Sequence, residues 1–193
     1  MRWCASIAVI AVLALAQGCI KQQEKPQPAV FPVASGSVEV TDISGKKYFP
    51  AVHAAFQRAE KSIRVAMFRV KIYPGKEKYL ANILVQDLVD ARKRGVDVVV
   101  HLDDTDDNTE DGGSGKNEKN TVVYETLRSA GVDARLMNHG RKLHAKLIVI
   151  DNKVVIDGSA NWSFSALSRN AESTSLIISE RYGAEKAAWI DSL

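Results

Sequence analysis

The residues from Leu143 to Asn161 constrain this chain more than any other stretch. Leu143 to Ile150 is a continuous apolar run interrupted only by His144 and Lys146, which predicts a strand buried on both faces. Because side chains alternate along a strand, the imidazole and the ammonium would point to the same face, roughly 7 Å apart. That separation suits two groups that grip one phosphate.

The residues after this strand add further polar groups. Asp151 opens a turn, and Gly158 would let the chain turn sharply a few residues later. Ser159 and Asn161 then lie where a short helix, at about residues 161–167, is predicted to begin. Free backbone N–H groups at a helix start favour an anion. The stretch therefore offers an imidazole, an ammonium, a hydroxyl and a carboxamide, which suffice for phosphodiester chemistry without a metal.

The pattern His-x-Lys-x4-Asp-x6-Gly-Ser-x-Asn at positions 144–161 resembles the signature of the phospholipase D superfamily. The resemblance covers about Val38 to Trp189. It includes Ser62–Phe68 and Lys93–Val100, which are similar to segments of small single-motif bacterial nucleases. It implies a phospholipase D-like fold and hydrolysis through a covalent phosphohistidine, with no metal and no cofactor.

The same resemblance implies a role for each polar residue. His144 would be the catalytic histidine, and Lys146 and Asn161 would bind the phosphate. Ser159 would supply a supporting hydroxyl that also faces the phosphate. Glu172, in a loop before a strand, would orient the histidine and raise its basicity. Two further motif residues, which would be structural, are Asp151 and Gly158.

The family mechanism implied here uses two histidines, one as nucleophile and one as general acid. The chain has three other histidines, and none is followed two residues later by lysine: His53, His101 and His139. We therefore expect a homodimer with one active site shared on its two-fold axis. His53 is predicted at the surface. His101, near the end of a predicted strand, either approaches the site or packs in the core, and the core is favoured. His139, with Arg141 and Lys142, either touches substrate phosphates or is solvated.

The N-terminus indicates export. Residues 1–18 have an apolar core after Arg2 and resemble a bacterial signal peptide ending in a lipobox, which would make Cys19 a lipidated N-terminus. Residues 19–37 read as a flexible tether. The predicted location is the periplasm or cell envelope, where the lipid on Cys19 would attach the protein to the membrane. Ordinary cleavage near Gly18, giving a secreted soluble protein, and an uncleaved anchor are the alternatives.

Residues 38–193 make up one predicted catalytic domain. Strands and helices alternate, which predicts an α/β fold with a mixed, largely parallel sheet and helices on both faces. Besides the short helix at about residues 161–167, the predicted helices are Pro50–Lys61 and Tyr79–Arg94, the second with an apolar stripe and a basic end before Gly95. The predicted strands are Val38–Ile43, Ile63–Val70, Val96–Leu102, Asp133–Met137, Leu143–Ile150, Val154–Ile156 and Ser175–Ile178.

An acidic loop, Asp103–Asp111, carries six carboxylates directly after a predicted strand. It should repel a polyanion. A calcium site is one alternative, but the glycine and the glutamate that an EF-hand loop needs are missing, so a solvated loop is favoured. Without residues 1–18 the balance is 25 basic against 23 acidic side chains, which is too near neutral to indicate nucleic acid by itself.

These observations predict an exported, metal-independent phosphodiesterase that cleaves nucleic acid as an endonuclease. The alternative is a phospholipase D or phosphatidyl transferase acting on membrane phospholipids, which the membrane address and the acidic loop favour. A third hypothesis is an inactive lipoprotein that binds anionic polymers, and the intact motif argues against it.

Overall fold

The computed structural model describes residues 37–104, 118–137 and 141–193. Its strands are β1 (Glu39–Asp42), β2 (Ser62–Met67), β3 (Asp97–Asp103), β4 (Asp133–Met137), β5 (Lys146–Ile150), β6 (Val154–Gly158) and β7 (Thr174–Ile178). They form one seven-stranded sheet in the order β1-β7-β6-β5-β2-β3-β4. The helices are α1 (Tyr48–Arg58), α2 (Leu80–Lys93), α3 (Glu118–Ser129), α4 (Phe164–Ser168) and α5 (Glu180–Asp191).

The mixed α/β fold is confirmed, but the parallel part of the sheet is smaller than predicted. Among the seven strands described, only β2, β3 and β4 are parallel neighbours. The other four pairings are antiparallel. Strand and helix alternate as far as β4, whereas the turn Asp151–Lys153 joins β5 directly to β6. So short a turn connects only antiparallel strands, because parallel neighbours need a long crossover.

Helices cover both faces of the sheet. The larger core lies between the sheet and helices α1, α2 and α3, which contribute Val52, Phe56, Leu84, Leu88, Val123 and Leu127. Ile63, Val65 and Met67 of β2 point into this core, whereas Ala66 points to the other face. There α5 packs its Ala187 and Ile190. Side-chain alternation along the strands thus separates two apolar layers.

Element boundaries differ modestly from the predictions. Strand β4 is as predicted, and α1 begins at Tyr48 rather than Pro50 and ends at Arg58 rather than Lys61. Helices α3 and α5 were not predicted. None of the helices in the described ranges is long and apolar enough to span a membrane.

The turn between β5 and β6 is held by Asp151. Asp151 and Asn152 both adopt left-handed backbone conformations, with φ of 52° and 54°. The Asp151 carboxylate accepts hydrogen bonds from the backbone N–H groups of Glu60, Lys61 and Ser62, at 3.1, 2.7 and 2.9 Å. Burial raises the pKa of this carboxyl, but the three donors outweigh it and hold the pKa below 3.8. Asp151 therefore fastens the β5–β6 turn to the start of β2.

Asp151→Asn is expected to lower the free energy of unfolding by about 2 kcal/mol near neutral pH, because the amide cannot accept all three bonds and carries no charge. Urea denaturation measures the loss. The loss in the free energy of unfolding should be complete above pH 3.8, the ordinary pKa that the carboxyl has in the unfolded chain. It should shrink as the pH falls through the lower pKa of the folded protein. Glu60→Gln is the matched control, since it removes an exposed neighbouring charge and keeps the backbone donor. Equal losses in the two variants would contradict the assignment.

Candidate active site

The residues of the motif other than Asp151 lie at one end of the central strands. Lys146, the first residue of β5, pairs with Met67 at the end of β2. On the other side of β5, Leu147 pairs with Asp157 near the end of β6. Strand β5 begins at Lys146 rather than Leu143, because the Leu143 N–H donates to the buried Asp103 carboxylate at 2.7 Å instead of joining the sheet.

His144 lies two residues before β5, and its side chain is exposed. The imidazole packs against the ring of Phe68, with centroids 4.6 Å apart and planes tilted by 54°. The backbone oxygen of His144 accepts a hydrogen bond from Lys146 Nζ at 2.8 Å. An exposed imidazole fixed against a buried ring is accessible to a substrate while its motion is restricted, which suits a nucleophile.

Lys146 places its ammonium beside the histidine. Nζ lies 4.8 Å from the centroid of the Phe68 ring, within the range of a cation–π contact. Partial burial lowers the pKa of Lys146 from its ordinary 10.5, and Arg69 lowers it further, whereas the carboxylates of Glu172 and Asp103 oppose the shift. A partly dehydrated ammonium interacts more strongly with a phosphate oxygen than one in bulk water does.

Lys146→Ala should lower kcat by about 10²–10³ without unfolding the protein, because one fixed donor to the developing charge is lost. Hydrolysis of bis(p-nitrophenyl) phosphate measures the effect. Lys153→Ala is the control, since it removes an exposed lysine from the turn at the opposite end of β5. Equal rates in the two variants would exclude Lys146 from the site.

The side chains of Ser159 and Glu172 are joined by a hydrogen bond. The Ser159 hydroxyl donates to the Glu172 carboxylate and accepts from the backbone N–H of Ser173 at 3.1 Å. Asn170 Nδ2 donates to the second carboxylate oxygen of Glu172 at 3.0 Å. These bonds fix the carboxylate near Lys146, whose pKa it raises. That Glu172 orients His144 stays a prediction.

Asn161 follows the strand end, but no helix begins there. Helix α4 begins at Phe164, and Ser163 caps it by accepting from the Ala166 N–H at 3.3 Å. The Phe164 N–H donates to the hydroxyl of Tyr73 at 3.2 Å. The predicted helix start at residue 161 is therefore wrong. The side-chain oxygen Oδ1 of Asn161 is buried and accepts no hydrogen bond within the described residues, whereas its backbone oxygen accepts from the Ser163 N–H at 3.1 Å. A buried acceptor without a partner needs an explanation, and a functional role for the carboxamide is one.

Gly158 has a different role from the predicted sharp turn. It is the last residue of β6 and is not among the glycines with positive φ. A Cβ atom here would lie 2.3 Å from Thr174 Oγ1 and 2.4 Å from the Ser173 carbonyl oxygen. Glycine is therefore required because β7 approaches closely, and this approach positions Ser159 beside Glu172.

Phe68 is a site residue that the sequence did not single out. Its ring is buried, and besides His144 and Lys146 it contacts the cations of Arg69 at 5.6 Å and Lys142 at 5.5 Å from its centroid. The ring of Phe68 thus lies within about 6 Å of three positive groups of the site. The available signal was its place in the segment Ser62–Phe68, whereas the strand predicted to continue to Val70 hid that β2 ends just before it.

The other histidines lie elsewhere. His53 Nδ1 is 2.7 Å from Asp87 Oδ2 on α2, and its side chain is 41% exposed. His101 is fully buried in β3, and neither ring nitrogen has a hydrogen-bond partner within the described ranges. Burial, with a smaller contribution from Arg135, lowers the pKa of His101, which favours the neutral form.

Several predicted features lie outside the described residues: the signal at 1–18, Cys19, the tether to residue 36, His139, and the acidic loop from Thr105 onward. Arg141 and Lys142 are exposed and line a groove of about 450 Å³ beside His144. Within the described ranges, no group of three or more His, Cys, Asp and Glu side chains could hold a metal ion.

Sequence comparison gives partial matches to curated proteins. The chain is 35% identical over 96 residues to a phospholipase D of Rickettsia prowazekii, which covers 50% of this chain and 42% of that protein. It is 36% identical over 56 residues to the mitochondrial cardiolipin hydrolase of Canis lupus familiaris, covering 29% and 22% of the two chains. The matches thus span less than half the length of these relatives.

Solved structures share the fold. Nuc of Salmonella typhimurium, a phospholipase D family member, matches with a TM-score of 0.62 at 24% identity, covering 81% of this chain and 92% of Nuc. Phosphatidylserine synthase of Haemophilus influenzae matches with a TM-score of 0.56 at 13% identity, covering 81% and 39%. The family described as "Cardiolipin synthase, PLD-like domain" matches residues 52–193, most of the chain. The chain therefore belongs to this phospholipase D-like family.

Proposed function

We propose that this protein is a phosphodiesterase of the phospholipase D superfamily, and that it cleaves nucleic acid as an endonuclease. The observation that carries the proposal is the exposed imidazole of His144 fixed on Phe68, with the Lys146 ammonium on the same ring. This arrangement sets a nucleophile beside a phosphate-binding cation.

The proposed reaction has two steps. A His144 nitrogen attacks phosphorus, and the bond to the leaving oxygen breaks as a second histidine donates its proton to that oxygen. Water then attacks the phosphohistidine, the phosphorus–nitrogen bond breaks, and the water's proton returns to the second histidine. Lys146 and Asn161 hold the phosphate oxygens in both steps. We propose that the second histidine is His144 of the partner subunit in a homodimer.

Nucleic acid is favoured as the substrate for two reasons. The motif resembles that of small single-motif bacterial nucleases. Three further cations, Arg69, Arg141 and Lys142, lie around His144 and offer contacts to phosphates on either side of the scissile one. Export, with Cys19 as a lipid anchor, is part of the same proposal.

A phospholipid substrate is the second candidate. The curated Rickettsia relative is named phospholipase D, and one structural neighbour is a phosphatidylserine synthase. A lipid on Cys19 would hold the enzyme at a membrane.

Hydrolysis is expected to proceed without a divalent metal, because Lys146, Asn161 and a histidine pair supply the charge and proton transfers that a metal would otherwise provide. The test incubates the purified protein with plasmid DNA, RNA or labelled phospholipid vesicles, with and without EDTA. We expect nucleic acid cleavage that persists in EDTA, while a metal-dependent nuclease in the same buffer stops. Loss of activity in EDTA with recovery on adding a metal would overturn the mechanism. Turnover of vesicles alone would establish the second candidate.

A further inference from the structure

A pocket with aromatic walls lies next to the active site. Tyr73, Tyr79 and Phe164, between the loop after β2 and helix α4, line a cavity of about 370 Å³, called here the aromatic pocket. The rings of Tyr73 and Tyr79 stack at 4.8 Å with planes 21° apart, and Phe164 meets Tyr79 edge-on at 5.4 Å. All three side chains are only half-buried and line the cavity, so part of each ring remains accessible to a ligand.

The aromatic pocket is attached to the phosphate-binding part of the site. Phe164 follows Asn161 by three residues, so their Cα atoms are at most about 11 Å apart. The Trp162 N–H donates to the Arg69 carbonyl at 3.0 Å, and the Lys71 N–H donates to the Trp162 carbonyl at 2.8 Å. These bonds hold the two walls of the pocket at a fixed position beside the site.

Cations surround the aromatic pocket. Lys71 Nζ lies 5.2 Å from the centroid of Tyr73, and the Arg169 guanidinium lies 4.8 Å from that of Phe164. Lys78 also lines the cavity. Aromatic faces between cations are the arrangement with which proteins hold single-stranded nucleic acid, since bases stack on rings and phosphates pair with the charges. An acyl chain would use the rings but not the cations.

We propose that the aromatic pocket receives an unpaired base one or two nucleotides from the scissile phosphate, which makes single-stranded nucleic acid the preferred substrate. This inference rests on the proposed nuclease function. A duplex keeps its bases stacked, so it would have to unpair before a base could enter.

The test combines substrate and protein changes. Single-stranded oligonucleotides carry one abasic position, moved stepwise across the cleavage site, and are cleaved by wild type and by Tyr79→Leu. With wild type, one position near the cleaved bond should lower kcat/KM about tenfold or more when its base is missing. Tyr79→Leu should cleave the intact strand as slowly as wild type cleaves the strand that lacks this base. In this variant, removing the base should have no further effect.

Two controls separate the contributions. Tyr79→Leu should hydrolyse bis(p-nitrophenyl) phosphate, which has no base, within about twofold of wild type, as expected for a site away from the reacting atoms. Tyr182→Leu removes a tyrosine that also contacts a cation, on α5 and the other face of the sheet, and should leave the abasic pattern unchanged. Phe164→Leu repeats the test should Tyr79→Leu misfold.

Each contrary outcome has a distinct meaning. Efficient cleavage with no abasic position coupled to Tyr79 or Phe164 overturns the base pocket. Equal losses on the oligonucleotide and the small diester overturn it too, because they indicate a structural role. Loss confined to phospholipid vesicles assigns the pocket to an acyl chain instead. Wild type that hydrolyses only the small diester, and no oligonucleotide, refutes the nuclease function itself.

Discussion

Replacing His144 by alanine is expected to abolish turnover while the protein still folds and binds substrate. The change removes the attacking nitrogen and, in the proposed dimer, the general acid as well. Removing one member of such a catalytic unit typically costs on the order of 10⁴-fold or more in kcat. Folding should survive because the side chain is exposed and lies before β5, outside both apolar cores.

The comparison uses His53→Ala as its control, since that histidine is also partly exposed but lies on α1 and contacts Asp87. Initial rates on bis(p-nitrophenyl) phosphate and on oligonucleotides measure turnover, and thermal denaturation measures folding. Only His144→Ala should lose activity. Near-normal turnover in folded His144→Ala would remove the basis for the whole mechanism.

Mixed dimers of wild-type and His144→Ala chains should be almost inactive. The chain has one His-x-Lys motif, whereas the proposed mechanism needs one neutral histidine to attack and one protonated histidine to donate. Two equivalent imidazoles at a shared phosphate divide these roles, because charging one disfavours charging the other. A heterodimer lacks one of the two and cannot complete the first step.

Co-refolding the two chains at varied ratios tests this shared site. Activity should fall as the square of the wild-type fraction, because only homodimers of wild type are active. Mixing the chains after each has folded separately is the control, and it should give a proportional fall until subunits exchange. A proportional fall after co-refolding, or full activity in a monomer, would mean that each chain carries its own general acid.

The local parts of the fold were predictable from the sequence, and the long-range contacts were not. Strand β4 and the core of helix α2 follow from apolar periodicity, which depends on neighbouring residues. Helix α5 was missed because its buried side is made of small residues, Gly183 and Ala187, with Ile190, and so lacks a strong apolar stripe. The order of the sheet depends on which edge each strand joins after β4, and no short segment encodes that choice.

The candidate site divides in the same way. The proximity of His144 and Lys146 to Ser159 and Asn161 was predictable, because all four lie in one short stretch that folds as a hairpin. Phe68 lies far from His144 in the sequence and reaches it only through the pairing of β2 with β5. The helix expected at Asn161 begins instead after Ser163, which caps it. Asparagine and serine cap helices about equally well, so the sequence did not distinguish the two starts.

The length of the turn at Asp151–Lys153 sets how β5 and β6 are aligned at the candidate active site, although the turn lies at the far end of β5. Ile150 pairs with Val154 across this turn, and the same register sets Leu147 opposite Asp157. Adding or deleting one residue in the turn would move the end of β6 by about 3.3 Å along β5 and turn its side chains over. Catalytic groups tolerate displacements of only about 0.5 Å. If the proposed site is correct, the number of residues between Lys146 and Ser159 matters for catalysis as much as the side chains themselves.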